Sequence, residues 1–257
     1  MTEIASHRGG ALLWPENSRT AFESTTRLNV DQVEFDVHPS RDGELIVIHD
    51  PTLDRTTNGT GPVHNQSFSE LSKLTLKGTS ADRILLFDEV IDIFEPTSIK
   101  LRVELKKGAD GLPYSGLPEQ VMKTLAGRKM LDRSIVTSFE LDVVCAAAAC
   151  APVSGHVYLI SPELEKHSGL DAILQIALGR GIPMLALTEN TLDAAKISRI
   201  RSAGLGVGAW AVNELNAIDR MLALGVDVFT TDRPDLALKR AGNVKPNGRN
   251  AAEQGFA

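Results

Sequence analysis

The chain alternates short apolar runs with amphipathic segments from its first residues to about residue 240. The short runs predict strands, and the segments whose apolar residues recur three and four positions apart predict helices. The predicted strands cover residues 4–6, 32–37, 101–105, 134–138, 156–160, 183–188, 205–212 and 226–231. The predicted helices cover residues 18–28, 87–94, 119–125, 141–149, 171–178, 193–202, 214–224 and 234–240.

Residues that begin and end helices support this division. Gly204 and Gly225 follow predicted helix ends, Asn17 or Ser18 can cap the first helix, and Asn213 can cap the helix from residue 214. Eight strand–helix repeats imply parallel strands with helical crossovers. A doubly wound open sheet is the alternative, but the Gly9-Gly10 pair falls short of its glycine-rich fingerprint. The sequence therefore predicts an α/β protein with a (β/α)8 TIM barrel.

One stretch after the second strand interrupts the repeat. It contains an extra predicted strand at residues 45–48, the turn-rich segment 58–62 and a short predicted helix at 67–74. We expect a small insertion at about residues 50–87 within a single catalytic domain spanning residues 1–243. The polar segment 244–257 is expected to be a flexible tail.

Composition excludes several classes of function. The 257 residues are 42% hydrophobic and 23% charged, with a net charge of -6, which gives no support for a nucleic-acid partner. No stretch approaches a membrane span or a secretory signal, so we expect a cytoplasmic protein whose partner is a small molecule. The oligomeric state stays open. Cys145 and Cys150 are expected to be small buried thiols.

Chemically versatile residues end several of the predicted strands. The carboxyl ends of barrel strands form one rim, which carries the active site. Side chains two residues apart point to the same side of a strand, so Glu34 and Asp36 converge if that side is the barrel interior. Glu104 and Lys106 have the same spacing. The residues expected at the rim are His7, Arg8, Glu34, Asp36, His49, Glu104, Lys106 and Trp210.

The three carboxylates of this set predict a metal site. Glu34, Asp36 and Glu104 cannot all stay ionised side by side without a positive charge between them. Oxygen ligands suit Mg²⁺, Mn²⁺ or Ca²⁺, whereas zinc more often recruits histidine or cysteine. Arg8 and Lys106 can hold phosphate oxygens.

The two histidines complete the parts needed to cleave a phosphodiester. His7 and His49 titrate near neutral pH and suit acid–base catalysis. One would deprotonate the nucleophile and the other would protonate the departing alkoxide. His7 is our preferred starting base, although the residue types leave the order open. We interpret His38, His64, His156 and His167 as ordinary polar residues, with His38 near the rim.

Nine segments, in order along nearly the whole chain, together resemble one protein family. They are His7-Arg8-Gly9, Pro15-Glu16-Asn17, Glu34-Phe35-Asp36-Val37, Asp42-Gly43, His49-Asp50, residues 53–61, Glu104-Leu105-Lys106, Trp210-Ala211-Val212-Asn213 and Thr231-Asp232-Arg233-Pro234. This set resembles the glycerophosphodiester phosphodiesterase family. The resemblance implies a barrel with an insertion after its second strand. It also implies metal-dependent hydrolysis of glycerophosphodiesters to glycerol 3-phosphate and an alcohol, a reaction of glycerol and lipid metabolism.

The resemblance also implies residue roles, carried over motif by motif. They are His7 and His49 as the catalytic pair, Glu34, Asp36 and Glu104 as metal ligands, Arg8 and Lys106 as phosphate ligands, and Trp210 in the substrate pocket. Two departures are mild, because Ser18 and Ala211 stand where the family often has threonine. The segment 77–87 departs further, since it lacks the usual Ile-Pro-Thr-Leu stretch and so leaves the head group open.

Two other functions stay open at this point. A hydrolase of sugar phosphodiesters such as agrocinopines would show the same motifs with a reshaped mouth. A non-catalytic receptor for phosphorylated ligands could use the same barrel, although binding alone needs no acid and base. In the mechanism that the resemblance suggests, a substrate hydroxyl beside the ester oxygen attacks phosphorus, and water opens the resulting cyclic phosphate.

Overall fold

The computed structural model describes residues 1–244 and contains one closed barrel of eight parallel strands. The sheet closes because its first strand, Glu3–His7, pairs with its last, Val228–Thr231, as well as with its second, Gln32–Pro39, which rules out the open doubly wound sheet. The barrel strands are β1 (Glu3–His7), β2 (Gln32–Pro39), β5 (Lys100–Leu105), β6 (Ser134–Ser138), β7 (Gly155–Ile160), β8 (Met184–Thr188), β9 (Gly206–Trp210) and β10 (Val228–Thr231). The predicted TIM barrel is confirmed.

Helices connect the barrel strands. They are α1 (Arg19–Thr25), α3 (Phe87–Phe94), α4 (Leu117–Gly127), α5 (Leu141–Cys150), α6 (Pro162–Gly179), α7 (Ala194–Ser202), α8 (Leu215–Leu224) and α9 (Pro234–Val244). Most bounds agree with the sequence prediction to within a few residues. The exception is α6, which begins at Pro162, because Ser161 caps an early turn that the apolar pattern did not reveal. Gly169, at φ 74°, separates its two helical pieces.

Apolar side chains form two separate layers around the sheet. The larger cluster lies between the strands and the helices and includes Phe22, Phe35, Phe94 and Phe229, all fully buried. A smaller cluster lies inside the barrel. Its buried members are Ile135, Val157, Leu159 and Ala186. These residues come from β6, β7 and β8, so this side of the barrel interior is apolar.

The insertion after β2 packs around its own small core. Its elements are β3 (Leu45–Val47), a 3-10 turn (Val63–Asn65), α2 (Phe68–Leu71) and β4 (Leu85–Leu86). β3 pairs antiparallel with the end of β2, with Val37 opposite Val47. Seven buried residues form the insertion core: Ile46, Ile48, Leu53, Val63, Leu71, Leu76 and Ile84. The hairpin thereby returns the chain to the rim of the barrel, and His49 comes two residues after the end of β3.

Several smaller expectations are settled by the structure. Ser18 caps α1, accepting a hydrogen bond from the Ala21 amide. Asn213 does not cap α8, because its side chain is used elsewhere. Both cysteines were expected to be buried, yet Cys145 is only half-buried and Cys150 is exposed.

Two expectations concern the chain's ends and surroundings. Within residues 1–244, no helix is both long and apolar enough to cross a membrane. The predicted flexible tail lies outside the described residues, except for Val244, which ends α9.

Candidate active site

Strand register brings the three predicted metal ligands together inside the barrel. Asp36 on β2 is the direct neighbour of Glu104 on β5, and Glu34 on β2 is the neighbour of His7 on β1. All three carboxylates are buried, and each offers an oxygen within 4.8 Å of the others. The convergence expected from the two-residue spacing of Glu34 and Asp36 is therefore present.

The charges of this cluster are only partly compensated by the chain. Glu34 Oε1 and Asp36 Oδ1 are buried and accept no hydrogen bond from the described residues. Burial and the nearby Asp36 raise the pKa of Glu34 to about 8. Burial would also raise the pKa of Asp36, but Lys106, His49 and Arg8 lower it well below its usual value. Buried carboxylate oxygens that accept no hydrogen bond are the environment that a hard dication suits, although the Lys106 ammonium lies 3.2 Å from Asp36 Oδ1.

Two cations flank the carboxylates. Lys106 Nζ lies 2.6 Å from Glu104 Oε1 and 3.2 Å from Asp36 Oδ1. Burial alone would lower the pKa of Lys106, but the two carboxylates outweigh burial and raise it. Arg8 Nε lies 3.6 Å from Asp36 Oδ2. Arg8 adopts the left-handed conformation, at φ 50°, which leaves its main-chain N–H donating to Glu34 Oε2 at 3.1 Å. Both basic residues therefore lie at the acidic cluster, as predicted.

His7 is held by a carboxylate from the far end of the chain. Its Nδ1 lies 2.6 Å from Asp232 Oδ1, and Asn213 Nδ2 donates to the other oxygen of Asp232 at 2.6 Å. His7 Nε2 lies 3.8 Å from Glu34 Oε2. Burial opposes the charge on His7, but Glu34 and Asp232 outweigh it and raise its pKa. The arrangement leaves Nε2 as the ring atom that faces the acidic cluster.

His49 is held by its sequence neighbour. Its Nδ1 lies 2.6 Å from Asp50 Oδ1. Arg55 donates to both oxygens of Asp50 and also to Glu16, which accepts from Arg8 at 3.2 Å. Burial lowers the pKa of His49, and Asp36 only partly offsets this. Asp50 thus orients the imidazole, and Arg55 ties the insertion to the barrel rim.

One cavity of about 180 Å³ joins most of these groups. The predicted site residues that line it are His7, Arg8, Glu34, His49, Glu104, Lys106 and Trp210, whereas Asp36 does not line it. The Trp210 indole is fixed by a hydrogen bond to the Ala186 carbonyl at 3.1 Å and by edge-on packing against Phe139. A second cavity of about 500 Å³ shares four lining residues with the first: His49, Glu104, Lys106 and Phe139.

Several polar residues at the site have roles that the sequence reasoning missed. Asp232 and Asn213 lie in motifs that had been noted, but nothing in their spacing indicates a contact with His7. Asn17, predicted only as a candidate cap of the first helix, donates to Asp36 Oδ2 at 2.8 Å. Arg102 also lines the cavity, although it is only 2% exposed. Its position two residues before Glu104, on the same side of the strand, was the available signal.

A TIM barrel whose carboxyl-terminal rim combines buried acids, two carboxylate-held imidazoles and two cations is characteristic of metal-assisted phosphoester hydrolases. The sequence comparisons agree. The model of the glycerophosphoryl diester phosphodiesterase family matches residues 7–236. The glycerophosphodiester phosphodiesterase of Bacillus altitudinis is 31% identical over 252 residues, covering 95% of this chain and 100% of that protein. The chain belongs to this family and is a phosphoric diester hydrolase.

Solved structures give the same result. A crystal structure from Agrobacterium tumefaciens strain C58, assigned to the glycerophosphoryl diester phosphodiesterases, matches with a TM-score of 0.92 and 33% identity. The match covers 95% of this chain and 99% of that chain. A phosphodiesterase of Oleispira antarctica, in complex with the product sn-glycerol-3-phosphate, matches with a TM-score of 0.78 and 23% identity, covering 94% and 97%. At that identity the second match concerns the fold.

Proposed function

We propose that this protein hydrolyses glycerophosphodiesters to glycerol 3-phosphate and an alcohol, using a divalent cation and two histidines. The observation that carries the proposal is the convergence of three buried carboxylates with two imidazoles, an arginine and a lysine at one cavity. The 31% identical protein of Bacillus altitudinis, named a glycerophosphodiester phosphodiesterase, supports this choice of substrate. A cytoplasmic location remains a prediction.

The cation would be held by Glu34, Asp36 and Glu104. Support comes from the two buried carboxylate oxygens that accept no hydrogen bond from residues 1–242, and from an all-oxygen donor set. Such a set favours Mg²⁺, Mn²⁺ or Ca²⁺. When bound, the ion would stabilise negative charge developing on the phosphoryl oxygens. Arg8 and Lys106 would bind the same oxygens from the sides.

We assign His7 as the starting base and His49 as the acid. His7 Nε2 takes the proton of the substrate hydroxyl next to the ester oxygen, and that hydroxyl oxygen attacks phosphorus. The bond from phosphorus to the leaving oxygen breaks, and His49 gives that oxygen a proton. Water then opens the cyclic phosphate with the roles reversed. Asp232 supports this order, because its other oxygen binds the neutral Asn213 and its charge is free to stabilise a His7 imidazolium.

A sugar phosphodiester is the alternative substrate. The observation in its favour is the cavity of about 500 Å³ beside His49, which is large enough for a bulky leaving group. Tyr158 and Phe139 give this cavity aromatic walls, and Lys107 and Glu140 give it charged groups of both signs. An agrocinopine-like diester would place its sugar there.

A substrate panel measured with several divalent ions tests the proposal. We expect turnover of glycerophosphocholine and glycerophosphoethanolamine with Mg²⁺, Mn²⁺ or Ca²⁺, and a fall of about 100-fold or more after exhaustive EDTA treatment. Faster turnover of a sugar-phosphate diester would favour the alternative. Activity that survives chelation would refute the cation.

A second measurement tests the internal nucleophile. Bis(p-nitrophenyl) phosphate has no hydroxyl beside its ester oxygen, so it should be a poor substrate despite its good leaving group. Turnover equal to that of glycerophosphocholine would argue against attack by the substrate's own hydroxyl.

A further inference from the structure

His38 is a buried titratable residue that has no role in the proposed cation site or in the proposed catalytic pair. It lies two residues after Asp36 on β2, where β2 pairs with β3, and it is 0% exposed. The interpretation of His38 as an ordinary polar residue near the rim is therefore incomplete. A buried imidazole needs partners for both ring nitrogens, and these partners show what it does.

Both nitrogens of His38 have defined partners. Nε2 lies 3.1 Å from the main-chain carbonyl oxygen of His49, and Nδ1 lies 3.1 Å from the Tyr114 hydroxyl. A carbonyl oxygen only accepts, so Nε2 carries the proton and donates to His49. In the neutral ring, Nδ1 is then an acceptor for the Tyr114 hydroxyl.

The contact to His49 lies where regular strand pairing ends. The Ile48 amide donates to the Asp36 carbonyl at 3.1 Å, directly after the last paired residue of β3. The next residue is His49, and His38 supplies the hydrogen bond to its carbonyl. The main chain of His49 is thus held by His38, while its ring is held by Asp50.

We propose that His38 is a positioning residue that fixes the main chain of His49, with Tyr114 fixing the tautomer of His38. This inference rests on the proposed function, in which His49 protonates the leaving group. Misplacing a catalytic group by about 1 Å can cost roughly 100-fold in rate. Tyr114 belongs to the segment between β5 and α4, which begins with the phosphate ligand Lys106. The same segment therefore contributes to phosphate binding and to the placement of His49.

The test compares, within one variant, two substrates whose leaving groups differ in whether they need a proton. Glycerophosphocholine has an alkoxide leaving group that needs a proton, and glycerol 3-(p-nitrophenyl phosphate) releases a nitrophenolate that does not. For His38→Ala we expect the rate of leaving-group release in a single turnover to fall about 10- to 100-fold with the first substrate and less than about threefold with the second. A single turnover is used because opening of the cyclic phosphate, which follows, is common to both substrates. The ratio of the two rates does not depend on the folded fraction of the sample.

Conservative variants and a matched control sharpen the test. His38→Gln keeps a side-chain N–H that can reach the His49 carbonyl, so both substrates should stay within about threefold of the parent. His64→Ala is the control, because His64 also packs on the Tyr114 ring, at 5.3 Å between ring centroids, and should leave both substrates unchanged. Tyr114→Phe keeps the His38 ring and should reduce glycerophosphocholine turnover selectively. This variant decides the question if His38→Ala does not fold.

The outcomes separate this inference from the proposed function. Equal losses on both substrates in His38→Ala, or no rescue in His38→Gln, would overturn the positioning role. In Tyr114→Phe, equal losses or no loss would do the same. If His49→Ala kept full glycerophosphocholine turnover, the proposed function itself would fail. A His49→Ala variant without turnover, alongside an unaffected His38→Ala, would remove only the inference about His38.

Discussion

The barrel and the insertion each deliver one imidazole to the cavity, and they hold it in different electrostatic surroundings. Each ring has a carboxylate 2.6 Å from Nδ1. In the barrel, the carboxylate of Asp232 comes from 225 residues away and its other partner is neutral. In the insertion, Asp50 is the adjacent residue, and Arg55 binds both of its oxygens. The carboxylate that holds His7 therefore has a neutral second partner, whereas Arg55 compensates the charge of the carboxylate that holds His49.

The pKa values of the two histidines are also displaced in opposite directions. The pKa of His7 is raised because Glu34 and Asp232 outweigh its burial. The pKa of His49 is lowered because burial, Lys106 and Arg8 outweigh Asp36. Groups whose pKa values are displaced apart can divide acid and base roles, and without the cation these directions leave His7 the more readily protonated ring and His49 the more readily neutral one. The proposed order therefore requires the cation, which at Glu34 would offset the charge that raises the pKa of His7. The contrast between the two regions is thus a testable basis for their chemistry.

The largest expected effect is the loss of either imidazole. His7→Ala should lower kcat about 100- to 10,000-fold with alkyl and p-nitrophenyl substrates alike, because a base is needed whatever group leaves. His49→Ala should show a comparable loss of leaving-group release only with the alkyl substrate. Single-turnover rates on both substrates measure this, because the later opening of the cyclic phosphate is common to both. If the selective loss belonged to His7→Ala instead, the two roles would be exchanged.

The next largest effect distinguishes the carboxylate of Asp232 from that of Asp50. Asp232→Asn should lower kcat about 100-fold or more, because it removes the charge that stabilises a His7 imidazolium and the acceptor that fixes its tautomer. Asp50→Asn should cost about tenfold, since Arg55 already compensates much of the charge of Asp50. Both variants keep the side-chain shape. Equal losses would mean that Arg55 makes no difference to the insertion's histidine.

The two imidazole pKa values can be measured directly in the metal-free protein. NMR titration of the ring protons should place the pKa of His7 above its ordinary 6.5 and that of His49 below it. Above the raised pKa His7 is neutral, so lowering the pH should charge His7 first and His49 later. Asp232→Asn should lower the pKa of His7 and leave that of His49 in place. The reverse order of titration would contradict the comparison.

The smallest effect concerns the link between the regions. Arg55 connects Asp50 with Glu16, and Arg55→Met should lower kcat only a few-fold, because an arginine nearly half exposed contributes modestly. Arg41→Met is the control, since Arg41 pairs with Glu70 at an exposed site within the insertion and should leave kcat unchanged. A large loss in Arg55→Met would mean that the insertion depends on this arginine for its position.

The sequence by itself determined the alternation of strands and helices, and with it the barrel. It also determined which acids share a face, because a strand's side chains alternate and Glu34 and Asp36 are two residues apart. The family resemblance named the same site residues, although their roles remain proposals. Asp50 directly follows His49 in the sequence, so only the orientation of the Asp50 side chain was left for the structure to decide.

Only the tertiary structure decided which distant residues meet. Closure of the barrel brings Asp232 to His7, and register sets Arg102 opposite Glu34. The fold of the insertion places His49 within reach of His38, and the segment after β5 brings Tyr114 to the same ring. The physical reason is that periodicity reports which way a side chain points, whereas contacts across strands depend on register and closure, which no local pattern encodes.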